Sequence, residues 1–285
     1  DKGLIERAIA ALSPRWAYTR ATYRRALNLY EGGQSSRIRK RSKDNRSPDS
    51  VVGGGAEAVR NYARNLERNH DIARNILSVL VRNVVGPEGV GIEPMPKDTS
   101  GKVLNDFSDE LMTLFREWWR HPEVTGMHDW ASVQRMMCRV WLRDGEAFAQ
   151  RLAGRVNFLR HGTLVPYSLE LLEPDFVPMD YDDDARRIRS GVERNAWGAA
   201  VAYHVFRSHP TEQLRLRVGT EDLKRVPADR MLHLALRDRL HQTRGMSIFA
   251  SVVNRLEDIK EFESAELIAA PVSYTHLTLP TISSV

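Results

Sequence analysis

The sequence predicts an α+β fold in which helices come first, a mostly antiparallel β region follows, and a long amphipathic helix comes last. Before Gly145, apolar residues recur three and four positions apart, which is the spacing of one helix face. Between Gly145 and Gly245, short runs of alternating polarity indicate strands. Because helices and strands are grouped rather than alternated, the pattern disfavours a doubly wound parallel sheet.

The composition allows a sizeable core and narrows the class of protein. Of the 285 residues, 42% are hydrophobic and 28% are charged, and the net charge is +5. This mildly basic balance suits contact with nucleic acid or acidic proteins, and it suits an ordinary solvated surface equally well. Cys138 is the one cysteine, so we expect folding in a reducing cytoplasm without disulfides. No run of about 18 apolar residues predicts a membrane span.

The first 55 residues divide into a helical segment, residues 1–31, and a basic linker or arm, residues 32–55. Two glycine runs flank the basic stretch of the arm and predict an irregular backbone. The chain begins with Asp1 rather than Met, and we expect the natural N-terminus to lie upstream.

Residues 56–145 form the helical part of the main domain. Apolar stripes predict three helices, at about residues 56–85, 102–120 and 130–143. Asp129 or His128 is expected to cap the last of them, and Gly145 to end it.

Residues 146–245 form the β-rich part. Strand-like runs occur at residues 147–152, 156–159, 168–172, 201–206, 214–218 and 231–236. The first two runs flank Gly154 and predict a hairpin.

The end of the chain predicts an amphipathic helix and a foreign tail. Residues 246–270 combine an apolar stripe with a mainly acidic remainder. Residues 271–285 contain no charged residue and resemble a translated sequencing-adapter read-through that recurs in assembled sequences. We expect this tail to be non-native, the alternative being a short edge strand.

The sequence lacks the common catalytic motifs. It contains no phosphate-binding loop of the Gly-x-x-x-x-Gly-Lys type, no Gly-x-Ser-x-Gly elbow and no zinc-ligand spacing. We therefore expect no enzyme activity and no catalytic, cofactor-binding or metal-binding residues. Cys138 and the tryptophans at helical spacing are predicted to be core residues: Trp118, Trp119, Trp130 and Trp141.

The acidic run Asp180–Asp184 is the sharpest candidate for chemistry. If Asp182, Asp183 and Asp184 converged with His204 on a magnesium ion, the chain would be a metal-dependent nuclease. Adjacent carboxylates on one loop usually splay apart, so a solvated acidic loop is the preferred interpretation. His204 and His233 lie in strand-like runs and are predicted to be partly buried and hydrogen-bonded.

The arm is the candidate contact for nucleic acid or a partner protein. Its cations would neutralise phosphates without reading base sequence. They are Arg37, Arg39, Lys40, Arg41, Lys43 and Arg46. A monomeric nucleic-acid-binding module is the alternative function that this arm predicts, and a solvated linker is its simplest interpretation.

Five stretches, in a fixed order, carry a resemblance to a known family. They are residues 64–70 with 81–86, 129–130 with 142–148 (Leu-Arg-Asp-Gly-Glu-Ala-Phe), 169–175, 188–193 leading into 201–205, and 227–233 with 242–247 (Gln-Thr-Arg-Gly-Met-Ser). Together they resemble phage portal proteins of the lambda family. Asn69-His70 stands where the family has a turn resembling paired Asn, which is a mild departure.

The resemblance implies a structural subunit rather than an enzyme, with no cofactor. It implies a homo-oligomeric ring, a dodecamer, that forms the DNA entry and exit channel at a capsid vertex and is assembled in the host bacterial cytoplasm. The implied partners are the terminase large subunit, major capsid and scaffold proteins, head–tail connector proteins, and double-stranded DNA bound weakly without sequence preference. The family's chains are longer, so we expect roughly the first half here: a wing-like region that ends before or within the stem.

A closed ring requires two different faces of each subunit to meet. The basic early helices and the acidic last helix offer opposite charges, and the expected interface residues are Arg60, Arg64, Arg68, Glu257, Glu261 and Glu263. Exposed ion pairs contribute only about 0–1 kcal/mol each, so apolar contacts must supply most of the affinity.

Overall fold

The computed structural model describes residues 44–211 and 222–275, with side chains through residue 267. Contacts divide the chain into two compact units, Asp1–Arg46 and Ser47–Val285, and the second unit is described below. Several predictions lie outside the described residues: the helix at 1–31, most of the basic arm, the strand at 214–218 and the end of the tail.

The first described helix begins earlier than the sequence suggests. Helix α1 spans Pro48–Asn69, whereas the prediction placed residues 48–55 in the linker. The Ser47 hydroxyl caps it by accepting a hydrogen bond from the Ser50 amide at 3.2 Å, and Pro48 has a backbone angle suited to a first turn. The cap and the packing of Val52 outweigh the unfavourable helix propensity of the three glycines that follow.

Helix α2 spans Asp71–Val85, so the single predicted helix is in fact two. His70 separates them with an extended backbone, at φ −131° and ψ 113°. Its imidazole Nε2 lies 2.9 Å from the carbonyl oxygen of Leu256, and this buried contact fixes the break between the helices.

The next two helices agree with the predicted pattern. Helix α3 spans Asn105–Trp119 and helix α4 spans Trp130–Asp144. The Asp129 carboxylate accepts from the Ser132 amide at 2.8 Å, which confirms the predicted N-cap. Gly145, at φ 90°, ends α4 in the left-handed conformation that glycine adopts most easily.

In the described ranges, seven strands form two antiparallel sheets, which confirms the α+β class. They are β1 (Glu146–Ala153), β2 (Tyr167–Leu172), β3 (Ile188–Arg189), β4 (Val192–Arg194), β5 (Ala200–Phe206), β6 (Leu223–Pro227) and β7 (Met231–Ala235). One sheet has the order β2-β1-β7 and the other β3-β4-β5-β6. In the first, Phe148 lies between Leu172 and His233.

Two features of the β region differ from the prediction. Residues 156–159 are not a strand, because β1 pairs with β2 rather than with the run directly after Gly154. Strands β3, β4 and β6 were not predicted, because they are short and rich in charged residues, so they show no clear alternation.

The last helix, α5, spans Val253–Thr275 after a short 3-10 turn at Ile248–Ser251. Val253 and Leu256 pack with Phe249 into the core formed by α1, α2 and α4. A second core lies between the sheets around Phe148, Tyr203 and Val205. Within the described residues, no helix is long and apolar enough to cross a membrane.

Candidate functional site

Two glycines let distant segments of the chain cross in van der Waals contact. Gly145 follows α4, and Gly245 lies in the segment between β7 and the 3-10 turn. A Cβ on Gly145 would overlap the backbone of Met246 and Ser247, and a Cβ on Gly245 would overlap the carbonyl of Gly145. The crossing places Glu146, which directly follows Gly145, beside Arg244, which directly precedes Gly245.

Glu146 and Arg244 form a buried ion pair at this crossing. Their side chains are 0% and 1% exposed, and Arg244 Nη2 lies 2.7 Å from Glu146 Oε1. Arg244 Nε donates to both carboxylate oxygens at 2.9 Å, and the amide of Gly245 donates to Oε2 at 3.0 Å. Glu146 is thus held by a guanidinium and a backbone amide of one segment.

The other edge of the Arg244 guanidinium donates hydrogen bonds to backbone carbonyls of the β region. Nη1 donates to the carbonyl oxygens of Val177 at 3.0 Å and Ser190 at 2.6 Å. Its carbon atom Cζ lies 5.4 Å from the centre of the Phe148 ring, a cation–π distance. One arginine therefore joins β1, the loop before β3 and the β3–β4 turn.

Helix α1 reaches the same cluster through two arginines. Arg60 is buried, with Nη2 3.3 Å from Glu146 and Nη1 3.6 Å from Asp175. Arg64 bonds to Asp144 at 2.8 Å and also to Asp175. Both guanidinium groups are paired with carboxylates of their own chain. The burial of Arg60 argues against the expectation that it faces a neighbouring subunit, whereas for Arg64, with a side chain 20% exposed, the expectation stays a prediction.

A second row of ion pairs continues along α1 and α4. Glu67 accepts from Arg143 at 2.8 Å and from Arg139 at 2.6 Å. Arg143 also bonds to Asp144 at 2.6 Å. The charges alternate in sign from α4 across to β1, so each is neutralised by a neighbour in a region with little water.

The pKa values of the cluster follow from this pairing. Burial alone would raise the pKa of Glu146, but the charge of Arg244 and hydrogen bonds from His233 and Arg244 hold it well below its ordinary value. Burial lowers the pKa of His233, whose Nε2 lies 3.1 Å from Glu146 and whose Nδ1 lies 3.3 Å from the Tyr203 hydroxyl. This geometry confirms the prediction of a hydrogen-bonded His233.

A buried ion cluster is thus formed by Arg60, Arg64, Asp144, Glu146, Asp175 and Arg244. It is suited to holding segments of the chain together rather than to catalysis. Glu146 accepts from the Arg244 guanidinium, the His233 imidazole and a backbone amide. A carboxylate with its acceptor sites filled and a lowered pKa is a poor general base near neutral pH. The cluster therefore has a structural role.

The acidic run Asp180–Asp184 forms a loop whose carboxylates are used locally. Asp182 accepts from the Ser190 amide at 2.6 Å, Asp183 from the Arg186 amide at 3.2 Å, and Asp184 pairs with Arg189. Among the described residues, the one group with metal-ligand proximity is Glu173, Asp175 and His209, and it contains none of the run. The loop geometry favours the interpretation of a solvated acidic loop.

His204 is buried within β5, 3.6 Å from Glu193, and among the described residues its Nε2 has no hydrogen-bond partner, which differs from the predicted hydrogen-bonded histidine. Burial lowers its pKa, as does the nearby charge of Arg186. The ring lies edge-on to Tyr181 at 5.2 Å, which is a packing contact rather than a ligand arrangement.

The remaining predicted residues lie where a structural role would place them. Cys138 is buried, and burial raises the pKa of its thiol. Trp118 packs against Trp130 with ring centres 5.0 Å apart. Arg46 pairs with Asp44 at 2.6 Å, whereas the arm residues 37–43 lie outside the described part of the chain.

Comparison with known proteins gives the same family that the motif stretches resemble. The family model described as phage portal protein, lambda family, matches residues 34–274. This chain belongs to the lambda family of phage portal proteins. A relative described as a probable portal protein, from Halomonas phage phiHAP-1, is 28% identical over 227 residues. The match covers 78% of this chain and 42% of the relative, so the chain spans about two fifths of that relative's length.

The portal family is a structural one, and the motif stretches of this portal chain have a structural explanation. Residues 142–148 and 242–247 supply Asp144, Glu146 and Arg244, which form the centre of the buried ion cluster. From the sequence alone, these three residues were part of the family motifs but had no predicted role. In both stretches a charged residue adjoins a glycine at the edge of an apolar run, and this pattern could have indicated a buried charge.

Two buried histidines and the paired carboxylates predict a free energy of unfolding that falls in two stages as pH decreases. The lowered pKa values of His204 and His233 mean that the unfolded chain binds more protons below about 6.5, so stability falls there as pH decreases. The lowered pKa values of Glu67, Glu146 and Asp175 add a steeper loss below about 4.5.

Urea unfolding at about pH 7.5, 5.5 and 4 measures both stages. In a His204→Gln variant, the loss between the first two pH values should shrink, because glutamine does not titrate. A free energy of unfolding that stays constant from pH 7.5 to 4 would contradict the expectation.

Proposed function

We propose that this chain forms the wing-like part of a portal subunit, and that copies of the subunit close into a dodecameric ring at one capsid vertex. Double-stranded DNA would enter the capsid through this ring during packaging and leave through it at infection. The observation that carries the proposal is the family match over residues 34–274. The acidic loop, whose carboxylates bond within the loop, supports a structural rather than a nucleolytic role.

The proposed partners follow from that role. The ring would dock the terminase large subunit and head–tail connector proteins, and it would contact major capsid and scaffold proteins during assembly in the bacterial cytoplasm. Contact with DNA would be weak and independent of sequence, since a conduit that neutralised many phosphates would hold the DNA too tightly to move it. The arm cations Arg37, Arg39, Lys40, Arg41, Lys43 and Arg46 are the proposed contacts.

Some of the predicted interface charges remain in the proposal. Arg68, Glu257, Glu261 and Glu263 are exposed, so they are available to a neighbouring subunit. Arg64, with a side chain 20% exposed, also remains, whereas Arg60 no longer belongs to the proposal because its guanidinium is buried against Glu146.

Negative-stain microscopy of the protein expressed from its complete reading frame tests the proposal. We expect rings with a central hole, because a head-to-tail contact between identical subunits closes when its rotation divides the circle. A preparation that contains only single subunits at every protein concentration would contradict the ring, and cleavage of DNA on adding magnesium would favour the nuclease instead.

A further inference from the structure

Helix α2 carries apolar side chains on two roughly opposite faces. Its inner face packs into the core through Ala73, Leu77, Val81 and Val85. Its outer face carries Ile72, Ile76 and Val79, spaced four and three residues apart and therefore aligned along the helix. These three side chains are 39%, 38% and 41% exposed.

A surface helix normally presents polar residues on the face opposite its core contact. On α2, a row of β-branched side chains occupies that face instead, and the described part of the chain leaves the row open to solvent. A contiguous exposed apolar surface usually marks a contact with another molecule.

The charges near this outer face restrict what can bind there. Arg68 at the end of α1, and Arg82, one turn after Val79 on α2, are exposed, whereas Asp71 is the single acidic residue of α2. An occupant with apolar side chains between acidic ones would match both the apolar row and the positive charge around it.

Helix α5 offers a surface of this kind. Ile259 and Phe262 lie three residues apart on one face and are 36% and 65% exposed. The surrounding turns carry two exposed basic residues, Arg255 and Lys260, and a larger set of exposed acidic ones: Glu257, Asp258, Glu261, Glu263 and Glu266. Pairing α5 with α5, or α2 with α2, would instead bring like charges together.

We infer that the outer face of α2 in one copy binds the Ile259–Phe262 face of α5 in a second copy. Two different faces meet in this contact, so it is head to tail, and the bound pair keeps one free α2 face and one free α5 face for further copies. The inference rests on the proposed ring and names the surfaces through which its subunits would meet.

Sedimentation velocity of the 285-residue chain tests this contact with two variants, Ile76→Asp and Phe262→Asp. Each puts a charge into the apolar part of the interface, and each should raise the dissociation constant for self-association about tenfold or more. Leu164→Asp is the matched control, since Leu164 is 88% exposed and lies on neither face. Circular dichroism checks that all three variants keep the wild-type helix content.

Mixing the two variants gives the sharpest readout. The Ile76→Asp copy retains an intact α5 face and the Phe262→Asp copy an intact α2 face, so an equimolar mixture should form dimers but nothing larger. Association of either variant as strong as that of the wild type, or no dimer in the mixture, would overturn the assigned surfaces and leave the ring standing. A wild-type chain that remains monomeric would overturn the inference, and microscopy of the complete protein would then decide the ring separately.

Discussion

Replacing Arg244 by methionine is expected to lower the free energy of unfolding by about 3–5 kcal/mol, because it removes the closer of the two guanidinium counter-charges of the buried Glu146 carboxylate and leaves Arg60 alone at 3.3 Å. The substitution also removes the donors to the carbonyls of Val177 and Ser190. Urea unfolding followed by circular dichroism measures the loss.

A surface pair provides the control for Arg244→Met. Lys224 lies 2.8 Å from Glu170, and both side chains are about a quarter to a third exposed. Lys224→Met should therefore cost only about 0–1 kcal/mol. Adding Glu146→Gln to Arg244→Met should restore part of the lost stability, since the carboxylate that lost Arg244 is then replaced by a neutral amide. If Arg244→Met and Lys224→Met cost the same, the buried ion cluster does not stabilise the fold.

The substitution Gly145→Ala is expected to cost about 2–5 kcal/mol, from a strained backbone together with steric overlap. The residue has φ 90°, and its new methyl group would overlap backbone atoms of Met246 and Ser247. Backbone cannot move aside as a flexible side chain can, so the two crossing segments must separate. Thermal or urea unfolding reports the change.

A glycine-to-alanine substitution at a different position should raise stability instead of lowering it. Gly53 lies within α1, and a Cβ there meets nothing within 4 Å. Gly53→Ala should therefore stabilise the chain by about 0.5–1 kcal/mol, because alanine loses less backbone freedom on forming a helix. A neutral Gly145→Ala would mean that the close crossing of Gly145 and Gly245 does not form.

Local signals in the sequence predicted the helices well where a cap accompanies an apolar stripe. Asp129, Gly145 and the stripe between them located α4 almost to the residue, because capping depends on neighbours in the chain. The start of α1 was missed because three consecutive glycines indicate a linker, whereas the Ser47 cap and tertiary packing decide the outcome.

The site could be predicted only in part, because its paired residues are far apart along the chain. Arg60 and Arg64 looked like exposed basic residues because every carboxylate that pairs with them is at least 80 residues away. Nothing in the composition of a helix shows which arginine points inward. Strands β3, β4 and β6 were missed for a related reason, since their pairing comes from neighbouring strands rather than from their own alternation.

The way in which α5 is anchored has a mechanical consequence. Among its side chains through residue 267, Val253 and Leu256 at its start are the two that are buried, and Lys260 donates to the carbonyl of Asn69 at 3.0 Å. The helix has 23 residues and is about 34 Å long, so a tilt of about 10° at this pivot swings its far end by about 6 Å. A small change of packing beside His70 is therefore enough to displace the far end of α5 by several ångströms. Subunits with otherwise identical folds can then present α5 at different inclinations.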